Sequence, residues 1–171
     1  MNVRKSILEG VMMIEPPTVF RDFRGTYVET YNEKLYREAG IDIDFVQDDI
    51  SVSSKNVLRG IHGDDITWKL VSCLYGEFYL VVINWDKTSP QFGQWESFIL
   101  SDKNRLQVLI PAKYGNGHVV LSDIAIFHYK QNTYYDRSRQ FTILWNDPEL
   151  NIKWPIDNPI LSERDSGKEN A

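Results

Sequence analysis

The chain has three histidines, and they come first because imidazole is the side chain that exchanges a proton near neutral pH. His62 stands in Leu58-Arg59-Gly60-Ile61-His62-Gly63-Asp64, just past an apolar pair. A lone histidine there is more often structural than catalytic. Its company, Arg59 and Lys69, favours a site. Lys69 opens Lys69-Leu70-Val71-Ser72-Cys73, and strand alternation puts it on one face with Val71 and Cys73. An inward lysine needs an anion or a ligand, and a strand-end lysine that reaches solvent is an equal alternative. Tyr129, in Ile124-Ala125-Ile126-Phe127-His128-Tyr129-Lys130, shares its face with Ala125 and Phe127, while His128 points the other way. Its phenol is either a hydrogen-bonded core group or one that reaches a cavity, and the residues by themselves favour the core. His118 follows Lys113-Tyr114-Gly115-Asn116-Gly117, read as a loop-forming run after Pro111. Its small residues suit a plain turn or a backbone that approaches a ligand.

Other chemistries lack their residues. No His-x-His pair occurs and no glutamate stands near His62 at ligand spacing, so a metal site is not expected. No serine elbow, glycine-rich phosphate loop or dinucleotide fingerprint is present. The residues by themselves lead as far as a β-rich domain with a candidate His/Lys/Tyr cavity.

The elements that must position these groups are mostly strands. Trp, Tyr and Phe make up 13 % of the 171 residues, a bias toward strands. Leu70 to Ile83 is broken by Gly76-Glu77 and reads as two strands around a hairpin. Further strands are expected over Glu96 to Leu100, Leu106 to Ile110, Ile124 to Lys130 and Phe141 to Leu144, with turn residues between them. One helix is expected from Asn32 to Ala39, capped by Asn32 and ended by Gly40. Short antiparallel strands at this spacing predict an all-β jelly-roll barrel with short peripheral helices, and pattern alone leaves an immunoglobulin-like sandwich open. Residues 1–165 read as one domain and 166–171 as a flexible tail.

Net charge is −5, which argues against a broad basic face for nucleic acid. No apolar run is long enough to span a bilayer. The single cysteine, Cys73, excludes an internal disulfide, and the first residues lack a signal peptide's apolar stretch. A cytoplasmic protein with no membrane or nucleic-acid partner is expected.

Taken in order, the motifs resemble the dTDP-4-dehydrorhamnose 3,5-epimerase family nearly end to end. The resemblance is carried by Phe20-Arg21-Asp22-Phe23-Arg24-Gly25, Phe45-Val46-Gln47-Asp48-Asp49, Val57-Leu58-Arg59-Gly60-Ile61-His62 and Lys69-Leu70-Val71. Ser89-Pro90-Gln91-Phe92-Gly93, Trp145-Asn146-Asp147-Pro148, Ile152-Lys153-Trp154-Pro155 and Leu161-Ser162-Glu163-Arg164-Asp165 complete it. It implies a cupin barrel, the double-stranded β-helix, that forms a homodimer by exchanging N-terminal strands and works without a cofactor. It also implies roles. His62 is the base that removes the proton next to a ketone, and Asp165 orients it. Lys69 is the cation beside the enolate oxygen, and Tyr129 is the acid on the opposite face, with Tyr134 or Tyr135 as alternatives. Arg24 and Glu29 match positions that reach a neighbouring subunit's nucleotide sugar, and Gln47 and Arg59 match the sugar–phosphate site.

This chain departs from the family where Ala-His-Gly-Phe is replaced by Gly115-Asn116-Gly117-His118, and where Asp49 and Asp64 stand for Asn and Gln. The pattern around these residues is similar to a branch acting on GDP-4-keto-6-deoxy-heptoses for capsular polysaccharide. On that resemblance Asp49, Asp64, Asn116, His118 and Tyr135 join the substrate-binding set, and the substrate is GDP-linked rather than dTDP-linked. A dTDP-sugar 3,5-epimerase, a sugar-nucleotide 3,4-ketoisomerase and a non-catalytic sugar-nucleotide-binding barrel are the alternatives.

Overall fold

The structure, a computed structural model, describes residues 1–16 and 18–168. The N-terminal third supplies β1 (Asn2–Lys5), β2 (Met12–Glu15), the pair β3 (Thr18–Asp22) and β4 (Gly25–Glu29), and helix α1 (Glu33–Glu38). The rest is β5 (Gln47–Ser54), β6 (Leu58–Gly63), β7 (Lys69–Tyr75), β8 (Glu77–Asn84), β9 (Trp95–Ser101), β10 (Gln107–Ile110), β11 (Tyr114–Val120), β12 (Ile124–Gln131) and β13 (Phe141–Thr142). One sheet has the order β1-β2-β10-β7-β12-β5 and the other β13-β6-β11-β8-β9, while β3 and β4 form a two-stranded sheet of their own. From β5 onward the chain changes sheet at almost every step; β8 and β9 are the exception. This winding is the expected barrel.

Alternation builds the interior. Val71 and Cys73 of β7, Phe78, Leu80 and Val82 of β8, Phe98 and Leu100 of β9, and Ala125 and Phe127 of β12 turn inward to one buried cluster. The opposite faces are also covered. Leu70, Leu109 and Ile14 pack under Tyr36 of α1, and Val81 and Ile83 pack under Ile143. Asn32 caps α1 by accepting from the Leu35 amide at 3.3 Å, an interaction worth about 1 kcal/mol.

Two expectations need correction. Gly76 does not turn a hairpin: β7 and β8 belong to different sheets, and the chain crosses between them there with Gly76 at φ +76°. Local punctuation marks the break, but the partner of each strand is set by distant residues. Tyr114–Val120 is not a loop but an interior strand, paired with β6 on one side and β8 on the other. Its glycines reflect close strand approach rather than a turn. A Cβ on Gly60, at φ +109°, would lie 2.6 Å from Cα of Gly117.

The C-terminal segment runs beside β6, where Leu58 donates to the Ile160 carbonyl at 3.0 Å. Within the expected tail, Ser166 and Gly167 donate back to Ser162 and Arg164 at 3.0 and 3.1 Å; residues 169–171 lie outside the described residues.

Candidate active site

Part of the barrel interior is not filled by apolar side chains. There β6, β7, β11 and β12 turn His62, Lys69, Asn116, His118 and Tyr129 into a cavity of about 310 Å³, closed in part by Ser162, Arg164 and Asp165 of the C-terminal segment. His62 and Asn116 are directly paired across β6 and β11.

His62 Nε2 is 2.7 Å from Asp165 Oδ1, and Asp165 Oδ2 accepts from the Gly60 amide at 3.2 Å. Burial pushes the Asp165 carboxyl up. The hydrogen bonds from His62 and Gly60, with the attraction of the imidazole, outweigh it and leave it below the ordinary value. An ionised carboxylate only accepts, so it holds the proton on Nε2 and leaves Nδ1 as a base.

Lys69 donates from Nζ to Asn116 Oδ1 at 3.3 Å, and Nζ lies 5.8 Å from the Tyr129 ring centroid. Burial lowers its ammonium to about 8; the nearby Asp64 charge opposes this and Arg164 adds to it. This is the inward lysine of the two readings, near an uncharged amide and available to an anion in the cavity. Tyr129 packs on the interior cluster and is among the residues that line the cavity. Burial, then the Asp49 carboxylate across the β5–β12 pair, holds the phenol far above its ordinary range, so it stays protonated.

His118 lines the same cavity, stacked on Phe127 with centroids 4.1 Å apart. Burial, reinforced by Arg59 and opposed by Asp165, lowers it to about 3. Arg59, Asn116 and Tyr135 complete the expected residues that line it.

The other expected residues lie elsewhere. Asp64 accepts from Ile66 and Thr67 amides at 2.9 and 2.7 Å and from the Thr67 hydroxyl at 2.7 Å, so its carboxylate ties down its own turn rather than lining the cavity. Gln47 donates to Asp49 at 2.8 Å and accepts from the Tyr135 amide at 3.0 Å, which places both behind the lining. Arg24 is exposed on the β3–β4 turn, paired with Asp22 at 2.6 Å. Glu29 accepts from Asn32 at 3.2 Å.

Ser51, Phe127, Gln140, Ser162 and Arg164 line the cavity without having been singled out by sequence for a role. Alternation from Asp49 along β5 would have found Ser51. Gln140 follows a short 3-10 turn and carries no local signal. Among the described residues no group of three His, Cys, Asp or Glu could hold a metal ion, and no helix is long and apolar enough to cross a membrane.

The sequence profile of the dTDP-4-dehydrorhamnose 3,5-epimerase family matches residues 5–170. The chain belongs to this family. A dTDP-4-dehydrorhamnose 3,5-epimerase of Shigella flexneri is 43% identical over 96% of this chain and 93% of its own. A solved dTDP-6-deoxy-D-glucose-3,5-epimerase of Legionella pneumophila, in complex with dTDP-4-keto-L-rhamnose, superposes with a TM-score of 0.92 at 39% identity, covering 97% of this chain and 90% of that one. A 3′-monoepimerase of Streptomyces bikiniensis, solved with dTDP-quinovose, superposes with a TM-score of 0.89 at 32% identity, covering 95% and 84%. These likenesses establish the cupin-type barrel over the immunoglobulin-like alternative. The chain is an isomerase, a sugar-nucleotide epimerase. Asp165 stands against His62, and Lys69 and Tyr129 line the same cavity.

Proposed function

We propose that this epimerase inverts C3, with or without C5, of a nucleoside-diphosphate-linked 4-keto-6-deoxy sugar. The observation that carries the reading is the His62–Asp165 pair at 2.7 Å, in one cavity with Lys69 and Tyr129. Nδ1 of His62 takes the proton from the carbon next to the ketone, and the electron pair of that C–H bond moves onto the carbonyl oxygen. The ammonium of Lys69 stabilises the resulting enolate. Tyr129 then returns a proton to the opposite face of the same carbon, and the C=O bond re-forms. Base and acid are reset by proton exchange with solvent.

The named relatives support a dTDP-linked hexose as the first substrate to test. A GDP-linked 4-keto-6-deoxy-heptose is the second reading. It is favoured by the two cavity positions at which the chain departs from the family, Asn116 and His118. Asp64, engaged in its own turn, lends it nothing. The reading also has the β3–β4 arm carry Arg24 and Glu29 to a second subunit; Phe20, Phe23 and Tyr27 stand exposed on it.

Proton NMR in deuterium oxide with dTDP- and GDP-linked 4-keto sugars tests this. The expected result is deuterium entry at C3 with inversion, lost by about 10²–10⁴-fold in His62→Ala. A carbonyl that migrates from C4, or exchange at the wild-type rate in His62→Ala, would overturn it.

A further inference from the structure

Two residues that line the cavity, His118 and Ser51, each carry a polar atom, Nε2 and Oγ, that is buried without a hydrogen-bond partner among the described residues. Buried polar atoms are rarely left so, because each has given up water without replacement. The His118 side chain is not free to seek another partner. The residue is only 3% exposed, and its ring lies parallel to Phe127 at 4.1 Å, with Phe78 at 5.1 Å. Ser51 faces the same layer, directly paired with Phe127 across β5 and β12. This layer is two residues along β11 from Asn116 and two along β12 from Tyr129, roughly 7 Å from the reacting groups at ordinary strand rise. It is too far to exchange the C3 proton and near enough to meet another part of a sugar.

The charge of the layer limits what it can bind. With its ring nitrogen lowered to about 3, His118 is uncharged at any working pH and offers an anion no charge. The guanidinium groups of Arg59 and Arg164, which also line the cavity, suit the diphosphate far better. A neutral imidazole nitrogen and a serine hydroxyl instead match an alcohol, which donates to one and accepts from the other.

We infer that His118 Nε2 and Ser51 Oγ form a subsite for an uncharged hydroxyl of the sugar, a specificity element separate from the proton-transfer groups. The inference rests on the sugar-nucleotide reading above. Calorimetry on the full chain tests it, with dTDP-glucose and GDP-mannose as stable sugar-bearing probes and dTDP and GDP as their sugar-free counterparts. His118→Phe keeps the stacked ring and removes the nitrogen. It should weaken the sugar nucleotide that the wild type binds better by about 3- to 10-fold, the loss of one neutral hydrogen bond, and leave the free nucleotide unchanged. Ser51→Ala should act in the same direction and serves as the test should His118→Phe fail to fold. Unchanged affinity for the sugar nucleotide would show that these atoms hold only water. An equal loss on the free nucleotide would place the phosphate or the base there. Either result overturns the subsite while leaving the epimerase reading intact. Wild-type protein that binds neither sugar nucleotide would instead refute the reading on which the subsite rests.

Discussion

Replacing His118 by phenylalanine should also remove part of the protein's sensitivity to acid, and the amount follows from the structure. In the folded chain burial lowers the imidazole to about 3, whereas in the unfolded chain it titrates at about 6.5. Between these values the unfolded state holds a proton that the folded state does not, so stability is present above about pH 6.5 and is lost as pH falls. At pH 7.5 the difference is about 0.1 kcal/mol; at pH 5.0 it is about 2 kcal/mol, from the ratio of unfolded protonated to neutral histidine. Lys69 does not confound the comparison. Its lowered value of about 8 means that its own destabilisation is nearly complete by pH 7.5 and changes little below it. His128, also lowered by burial, is common to both proteins. Urea unfolding of wild type and His118→Phe at pH 7.5 and 5.0, at one protein concentration so that any self-association weighs equally on both, provides the assay. The wild type should lose about 2 kcal/mol more than the variant on acidification, or about 4–8 °C in melting temperature for a chain of this size. Identical acid losses in the two proteins would show that His118 is not buried neutral, and the argument from its uncharged state would fall with it.

Three further outcomes are expected. Tyr129→Phe keeps the ring that packs on Phe127, at 5.7 Å between centroids, so it should fold. It should admit deuterium at C3 through His62 while little inverted product accumulates; normal inversion by the folded variant would move the acid to Tyr135, which also lines the cavity. Because the Lys69 ammonium is lowered to about 8, it is charged below that pH and neutral above it. Exchange at C3 should therefore fall as pH rises through about 8, and a rate that holds level to pH 9.5 in deuterium-exchange NMR would remove Lys69 as the enolate partner. Asp165→Asn retains an acceptor for the Gly60 amide but takes the negative charge from His62. Steady-state kinetics should show kcat reduced about 10²-fold or more with KM little changed, and a loss of twofold or less would assign Asp165 a purely structural part.

The strands were legible because alternation is local. Val71 and Cys73, or Ala125, Phe127 and Tyr129, announce an inward face from their own spacing, and Asn32 with Gly40 announces a short helix in the same way. That spacing also placed Lys69 and Tyr129 on faces with apolar neighbours, though it could not say whether Lys69 turned inward or reached solvent, nor whether the Tyr129 phenol met a core or a cavity. The chemical roles of His62, Lys69, Tyr129 and Asp165 came from ordered motifs that resemble a family, not from periodicity. Tertiary structure decided the rest, for reasons that lie outside any local window. Gly76 marks a break, but whether β7 pairs with β8 depends on β10, β11 and β12, so the chain crosses sheets where a hairpin was expected. Gly115-Asn116-Gly117 looks like a turn until β6 is brought so close that a Cβ on Gly60 would collide with Gly117. Asp64 and Asp165 are both carboxylates near motif residues. One closes on Thr67 three residues away, and the other reaches His62 across 103 positions of sequence. Composition is blind to that difference, because a carboxylate's role is set by the donors that the fold brings to it.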